Sequence, residues 1–292
     1  MDLTQLLIQG LIAGILLGSL YSLIGLGMTL IVGVMGIVNF ANGALLMLSM
    51  YAAYWVFVYT GVAPYALFIV AVPLLFFVGM AIQRGLIKPI IHASYEAQIL
   101  ATVGLSLFLT NFALLMWTAD YRSVVTPLSY SSIMIGDVTI SIARLIASGL
   151  SALTGVALYI FLQRTKMGKA MRATAQDRVL ASLLGVNINR IDSIAFGIGS
   201  SLAAIAGVLI LPIYYVSPTI GDTFILPAFA TIVLGGFGNF IGALVGGVII
   251  GIAESLTAVT FSSEFRQVAS FLIIILILLY KPEGLFTRRL RE

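Results

Sequence analysis

Few residues in the apolar parts of this sequence carry a group that could do chemistry. Glu254 is the strongest candidate for an ionisable group in these stretches, and such groups usually mark ion or substrate pathways. Because it lies near the end of its apolar stretch, a structural role at the level of lipid headgroups is the alternative. Asn39, Asn42 and Asn239 would hydrogen-bond either a zwitterionic substrate or, the role we favour, the backbone of broken helices.

The sequence lacks the residue sets of the common enzyme and metal sites. It contains one histidine and no cysteine, which excludes multi-histidine and thiolate metal sites, disulfides and thiol catalysis. The zinc-protease, serine-hydrolase and nucleotide-binding P-loop motifs are absent. We therefore predict a protein that is not an enzyme, holds no metal or cofactor, and cannot hydrolyse a nucleotide by itself.

Composition indicates the class of protein that must position these groups. Of 292 residues, 61% are hydrophobic and 9% are charged, whereas soluble domains carry roughly 25% charged residues. Long apolar runs predict an all-α, polytopic membrane helix bundle, with about eight to ten spans including broken or re-entrant helices. We expect one transmembrane domain over residues 1–292. The cations adjoin apolar runs, so membrane lipid is the expected anionic partner and nucleic acid is not.

Two breaks rich in glycine and asparagine interrupt apolar runs that are too long for one span. The break in residues 33–43 predicts either a discontinuous segment or a tight turn just outside the lipid. The break in residues 235–240 separates two further spans. Paired breaks of this kind form the central sites of transporters. The two breaks share a pattern that suggests an internal repeat: Gly36-x-x-Asn39-Phe40 and Gly236-x-x-Asn239-Phe240.

The distribution of cations predicts which connections lie in the cytoplasm. Apolar stretches predict further spans at about residues 62–82, 97–117, 142–162, 193–214 and 268–280. The positive-inside rule assigns the basic loop 83–96, the segment 163–190 and the basic tail to the cytoplasm. The polar segment 118–140, which holds Asp120, Arg122 and Asp137, then lies outside. Arg144, at the outer end of its span, is expected to reach the headgroups and receives no function.

The segment 163–190 is the longest charged interruption in the chain. Six cations against one acid, Asp177, give it a net charge of +5, in a protein whose formal net charge is +4. Within it, residues 170–184 predict a single helix of about four turns. Thr174 with Asp177 is typical of a weak capping box, and Gly185 of a left-handed helix end.

This predicted helix carries one apolar stripe. The stripe consists of Ala175, Val179, Leu180, Leu183 and Leu184. A helix of about 15 residues with this charge is too short to span a bilayer. It would either lie on anionic headgroups or offer its stripe to a soluble partner, and the residues alone leave both possibilities open.

Four separated stretches resemble the LivH-type permeases, the membrane subunits of ABC importers for branched-chain amino acids. They are GIVNFANGALLMLSMYAAY, TKMGKAMRATAQDRVLASLLGVNINRID, AFATIVLGGFGNFIGALVGGVIIGIAES and KPEGLF. The resemblance covers nearly the whole chain. It implies that the segment 163–190 carries a coupling helix, which docks into a cytoplasmic ATPase subunit.

The resemblance also implies which residues make this contact. The general motif of ABC importer permeases is E-A-A-x-x-x-G; Ala181 and Gly185 match it, whereas Val179 stands in place of its glutamate. The implied ATPase-docking residues are Arg172, Ala173, Asp177, Val179, Leu180, Ala181, Leu184 and Gly185.

The implied assembly has several partners. They are two cytoplasmic ABC ATPase subunits that bind the ATP, a second related permease and an extracytoplasmic binding protein, at a bacterial-type inner membrane with the C-terminus of this chain in the cytoplasm. Branched-chain or similar amino acids are the implied substrates, and amides or urea are alternatives. An ion-coupled secondary transporter has only Glu254 in its favour, and a membrane enzyme lacks convergent titratable groups.

Overall fold

The computed structural model describes residues 3–135 and 138–286, which form a bundle of helices. The α-helices are α1 (Leu3–Met35), α2 (Asn42–Thr60), α3 (Phe68–Ile82), α4 (Lys88–Ile90), α5 (Tyr95–Trp117), α6 (Pro127–Tyr130), α7 (Ile142–Arg164), α8 (Lys166–Gln176), α9 (Arg178–Leu183), α10 (Ile188–Ile210), α11 (Ile220–Gly235), α12 (Phe240–Thr260) and α13 (Arg266–Tyr280). One antiparallel hairpin, β1 (Ser132–Ile135) with β2 (Val138–Ser141), lies between α6 and α7.

The predicted polytopic, all-α membrane bundle is confirmed. Eight helical stretches in the described parts of the chain are long and apolar enough to cross a membrane. The apolar helix α11 is shorter, at 16 residues. The observed helices lie within a few residues of the predicted spans, and α13 begins two residues earlier than predicted, at Arg266.

The predicted basic loop 83–96 is wrong in one respect, because most of it is helical. The helix α3 continues through a π-helical turn, Gln83–Ile87, into α4. Pro89 has no backbone N–H and cannot make the usual bond to the fourth residue before it. The wider π-turn accommodates this loss, and the Lys88 N–H bonds the Gln83 carbonyl.

Small residues allow the central helices to approach closely. A Cβ atom on Gly14 would lie 2.6 Å from the Ile252 Cα, so α1 and α12 touch along their backbones. The predicted small-residue face of α10 is used in the same way, since Gly199 lies against Gly27 of α1. Without a hydrophobic driving force in lipid, such close backbone packing is a main source of helix association.

The two ends of the bundle differ in charge, and we name them by what they carry. The basic end holds α8, α9 and the last turn of α13, with Arg84 and Lys88 close to the start of α10. The hairpin end holds β1, β2 and the first turns of α7 and α13, with Arg122, Arg144 and Arg266. Asp137 of the predicted outer loop and the tail cations Arg288, Arg289 and Arg291 lie outside the described residues.

The first break is a discontinuous segment inside the bundle and not a tight turn. Residues 36–41 are irregular yet mostly buried, and they run back along α1. Asn42, where α2 begins, reaches the Ile24 carbonyl, which lies three helical turns before the end of α1. Gly43 packs against the backbone of Gly221 at the start of α11. The helix α2 therefore begins deep inside the bundle.

The two breaks share their local geometry. Gly36 and Gly236 both have positive φ angles, 73° and 91°, a conformation that glycine adopts without strain. Asn39 and Asn239 each accept a hydrogen bond from a backbone N–H just downstream, from Ala41 and Gly242 respectively. Gly33, at the start of the first break, lies against Gly238 of the second. The two halves of the pattern thus meet at the basic end.

Candidate functional site

The segment predicted as one helix over residues 170–184 is two helices, so that prediction is wrong. The helix α8 ends at Gln176, and α9 begins at Arg178. Asp177 lies between them in an extended conformation, and its carboxylate accepts hydrogen bonds from the N–H groups of Val179 (2.8 Å) and Leu180 (2.9 Å). This cap competes with helix continuation, because short acidic side chains favour N-cap positions.

The other predicted features of this segment divide between confirmed and wrong. The predicted capping box is wrong, since the Thr174 hydroxyl donates to the Ala170 carbonyl inside α8. The predicted left-handed end is confirmed, because Gly185 has a φ of 85° and its N–H bonds the Ser182 carbonyl. These two capping residues, Asp177 and Gly185, enclose a helix of 6 residues.

The short helix α9 presents an apolar face away from the bundle. The exposed fractions are 70% for Val179, 78% for Leu183 and 84% for Leu184, and Leu180 is also exposed. Ala181 points the other way and is 2% exposed. Leaving several large apolar side chains exposed on one short helix is unfavourable in water, and such patches typically mark an interaction site.

Arg178 attaches α9 to the bundle. Its guanidinium donates to the Val34 carbonyl at 2.8 Å and to both carboxylate oxygens of Asp192, at 2.7 and 3.2 Å. Val34 is in the last turn of α1, just before the irregular residues 36–41, and Asp192 is in the first turns of α10. Since Asp192 is almost fully buried, removing the arginine would leave its charge uncompensated.

The helix α8 is also held against the bundle. The Thr165 hydroxyl caps it by accepting the Gly168 N–H at 2.9 Å, and Arg172 donates to the Leu162 carbonyl at 3.1 Å. Met171 is completely buried, whereas Arg172 is exposed and Ala173 is half-buried. The structure thus brings all the residues of the docking prediction into one segment, with Ala181 on its inner side.

The three asparagines have different surroundings. Asn239 caps α12 through the Gly242 N–H and donates to the Phe286 carbonyl at 2.8 Å, so it binds backbone groups. Asn39 and Asn42 are fully buried beside the first break. Each keeps one amide atom, Nδ2 of Asn39 and Oδ1 of Asn42, with no hydrogen-bond partner among the described residues. Buried amide atoms are rarely left unpaired without a reason.

Glu254 lies apart from these groups, towards the hairpin end of α12. Its side chain is 1% exposed and accepts hydrogen bonds from Tyr21 (2.7 Å), Arg266 (3.2 Å) and Ser270. With three partners, the carboxylate has little capacity left for an ion or a substrate. This arrangement is that of a structural cluster joining α1, α12 and α13.

Sequence reasoning missed the Arg178–Asp192 pair and the partners of Glu254. In the sequence, Arg178 is only one of the six cations of the segment 163–190, and Asp192 is an acid just before the predicted span 193–214. The available signal was that Arg178 and Asp192 have opposite charges and lie on either side of Gly185. Sequence spacing alone does not show which cation of the segment contacts the acid. Tyr21 and Arg266 are more than 230 residues apart and meet only in the fold.

These features define a multi-pass helical membrane protein with paired broken helices and a short helix with an exposed apolar face at its basic end. The model of the family described as "Branched-chain amino acid transport system / permease component" matches residues 10–279. The chain belongs to this family.

Relatives along the whole chain support the same assignment. The chain is 34% identical over 302 residues to the high-affinity branched-chain amino acid transport system permease protein LivH of Escherichia coli K12, covering 96% of both chains. It is 31% identical, with the same coverage, to the high-affinity branched-chain amino acid transport system permease protein BraD of Pseudomonas aeruginosa. The ribose import permease protein RbsC of Haemophilus influenzae is 30% identical over 44% of this chain. No solved structure matches.

Proposed function

We propose that this chain is the membrane subunit of an ABC importer for branched-chain or similar amino acids, driven by ATPase subunits that bind α9. The observation that carries the proposal is the apolar outer face of α9, which is capped at both ends and attached to the bundle by Arg178. The substrate class follows from the full-length relatives, which are permeases for branched-chain amino acids.

The proposed assembly contains two ATPase subunits, a second related permease and a binding protein that delivers the substrate from outside. The chain itself has no P-loop motif, so ATP is bound by the partners and this subunit is not an enzyme. The basic end faces the cytoplasm, because most cations of the described residues lie there and the positive-inside rule applies. The C-terminus, after α13, is then cytoplasmic.

The contacts of Arg178 connect a movement of α9, driven by the ATPase, with the first break, where we place the substrate pathway. Displacement of α9 by the ATPase moves the guanidinium that bonds Val34 and Asp192. Val34 leads directly into the first break, where Asn39 and Asn42 carry unpaired amide atoms deep in the bundle. We propose that these amides face the substrate when the break opens, whereas Asn239 and Glu254 hold the bundle together.

The substrate could also be an amide or urea, because related permeases share this architecture and binding proteins determine much of the selectivity. The similarity of 44% of this chain to a ribose import permease protein supports keeping substrates other than branched-chain amino acids under consideration. Ligand binding by the partner binding protein, screened across amino acids, amides and urea, distinguishes these cases. An ion-coupled transporter is disfavoured, since Glu254 already accepts hydrogen bonds from Tyr21, Arg266 and Ser270 and has little capacity left for an ion.

Leu184→Asp is expected to abolish ATP-dependent uptake without changing the amount of folded protein in the membrane. Leu184 is exposed and is not part of the core, so the aspartate does not disturb folding. It places a charge on a surface from which water must be excluded when the partner docks. The measurement is uptake of labelled leucine by the assembled transporter in vesicles loaded with ATP. Gln176→Asp, which adds the same charge at an exposed position outside the apolar face, is the matched control.

Loss of uptake in Leu184→Asp alone supports docking on α9. Equal uptake by Leu184→Asp and the unaltered chain would refute it, and equal loss in both variants would show a general charge effect at the basic end.

A further inference from the structure

A cavity at the hairpin end is lined by two arginines that the transport function does not use. It has a volume of about 160 Å³ and opens between α1, the first turn of α7, the outer part of α12 and the start of α13. Arg144 and Arg266 line it together with Tyr214, and the rest of its wall is mainly apolar, including Leu16, Leu17, Leu20 and Val259. No Asp or Glu among the described residues lines this cavity.

The two arginines differ in their existing contacts. Arg266 donates to Glu254, which is buried behind the cavity wall, and to the Tyr21 hydroxyl at 3.5 Å, and about a third of its side chain is exposed. Arg144 is exposed and makes no hydrogen bond or ion pair with any residue in the described part of the chain. A guanidinium carries five donors in a planar fork that matches phosphate and carboxylate oxygens. The cavity therefore offers unused donors for an anion.

We propose that this cavity binds the headgroup of an anionic phospholipid from the leaflet at the hairpin end. Its phosphate lies between Arg144 and Arg266, and the first part of its acyl chain lies on the apolar wall formed by α1. Arginine at the ends of membrane helices reaches the headgroup level, and its planar guanidinium binds phosphate oxygens through paired N–H donors. Arg144 and Arg266 lie in the first turns of α7 and α13, which belong to helical stretches long and apolar enough to cross a membrane.

The charges of the cavity favour a lipid over the other plausible ligand, an amino acid bound through its carboxylate. A zwitterion brings an ammonium group that needs an acceptor, and the cavity offers two guanidinium groups with no facing carboxylate. The carboxylate of Glu254 is occupied by Tyr21, Arg266 and Ser270. An anionic phospholipid has a net negative charge and an apolar body, which match the two kinds of wall.

The test compares lipid binding by variants of the full chain purified in a neutral detergent. The protein is titrated with dioleoyl phosphatidylglycerol, and the shift of the thermal unfolding midpoint gives an apparent affinity. Arg144→Gln is expected to weaken the affinity about tenfold, since hydrogen bonds to a charged group are lost. The control is Arg164→Gln, which removes the same exposed residue type from the opposite end of α7, and it is expected to change the affinity less than about twofold.

Two further arms distinguish the possible outcomes. Dioleoyl phosphatidylcholine is expected to give a smaller shift that is the same in all variants, which also shows that each variant is folded. Leucine is expected to give no shift that depends on Arg144. Equal phosphatidylglycerol affinity in Arg144→Gln and the unaltered chain would overturn the proposal, and so would an Arg144-dependent response to leucine alone. If Arg144→Gln does not fold, Arg144→Lys, which keeps the charge without the fork, serves in the same comparison with a smaller expected loss.

Discussion

Arg178→Met is expected to uncouple transport from ATP hydrolysis, lowering the uptake per ATP hydrolysed about tenfold or more. This is the range of a coupling free energy of a few kcal/mol between two sites. The variant removes the bond from α9 to the Val34 carbonyl and leaves Asp192 buried without its cation. We also expect the stability to fall by about 3 kcal/mol, the usual effect of breaking a largely buried pair on one side. The measurement is leucine uptake and ATP hydrolysis in the same vesicles.

Two controls separate the loss of coupling from the loss of stability. Arg190→Met removes an exposed cation of the same segment and is expected to leave both activities unchanged. Arg178→Met combined with Asp192→Leu removes both charges and is expected to recover most of the stability. The double variant still lacks the bond to Val34, so uptake per ATP is expected to stay low. Full recovery of uptake in the double variant would contradict the role of that bond.

Gly43→Ala is expected to destabilise the protein by about 1–3 kcal/mol, because it overpacks a contact between two backbones. A Cβ atom on Gly43 would lie 2.5 Å from the Gly221 carbonyl oxygen and 3.0 Å from its carbon. Neither atom belongs to a flexible side chain, so α2 and α11 must move apart at the point where both begin. The expected results are a lower thermal midpoint and a strong loss of uptake.

Gly149→Ala is the matched control for this prediction. Gly149 lies inside α7 with open space around the added methyl group. In that setting alanine is favoured over glycine in a helix by up to about 1 kcal/mol, so the midpoint should rise slightly and uptake should be unchanged. If Gly43→Ala raises the midpoint and leaves uptake unchanged, as expected for Gly149→Ala, then the starts of α2 and α11 are not in close contact.

Most of the fold can be predicted from hydropathy and from the positions of the glycines and asparagines that end helices. Spans of apolar residues, the two Gly-Asn breaks and the helix end at Gly185 all follow from local preferences, and each is present in the structure. The continuation of α3 through Pro89 was not predicted. Proline normally ends a helix, and only the surrounding packing permits the π-turn.

The candidate site was predicted in its location but not in its architecture. The cap at Asp177 competes with a helix that has no other breaker between Ala170 and Leu184, and the balance depends on packing against α1 and α10. The burial of Ala181 shows which side of α9 faces the bundle. The sequence predicts an apolar stripe, but a stripe alone does not show whether it faces the bundle or a partner. The contact of Arg178 with Val34 joins residues 144 apart in sequence, and no local pattern predicts it.

Cross-linking from a single cysteine tests most directly whether α9 receives the ATPase. The chain contains no cysteine, so Leu184→Cys carries the only thiol. Tyr280→Cys, at the end of α13 and at the same basic end of the bundle, is the control, since Tyr280 and Leu184 both have exposed fractions of 84%. With a thiol-to-amine cross-linker acting on the assembled transporter in membranes, we expect an ATPase adduct from Leu184→Cys and none from Tyr280→Cys. No adduct from Leu184→Cys, or equal adducts from both positions, would contradict docking on α9.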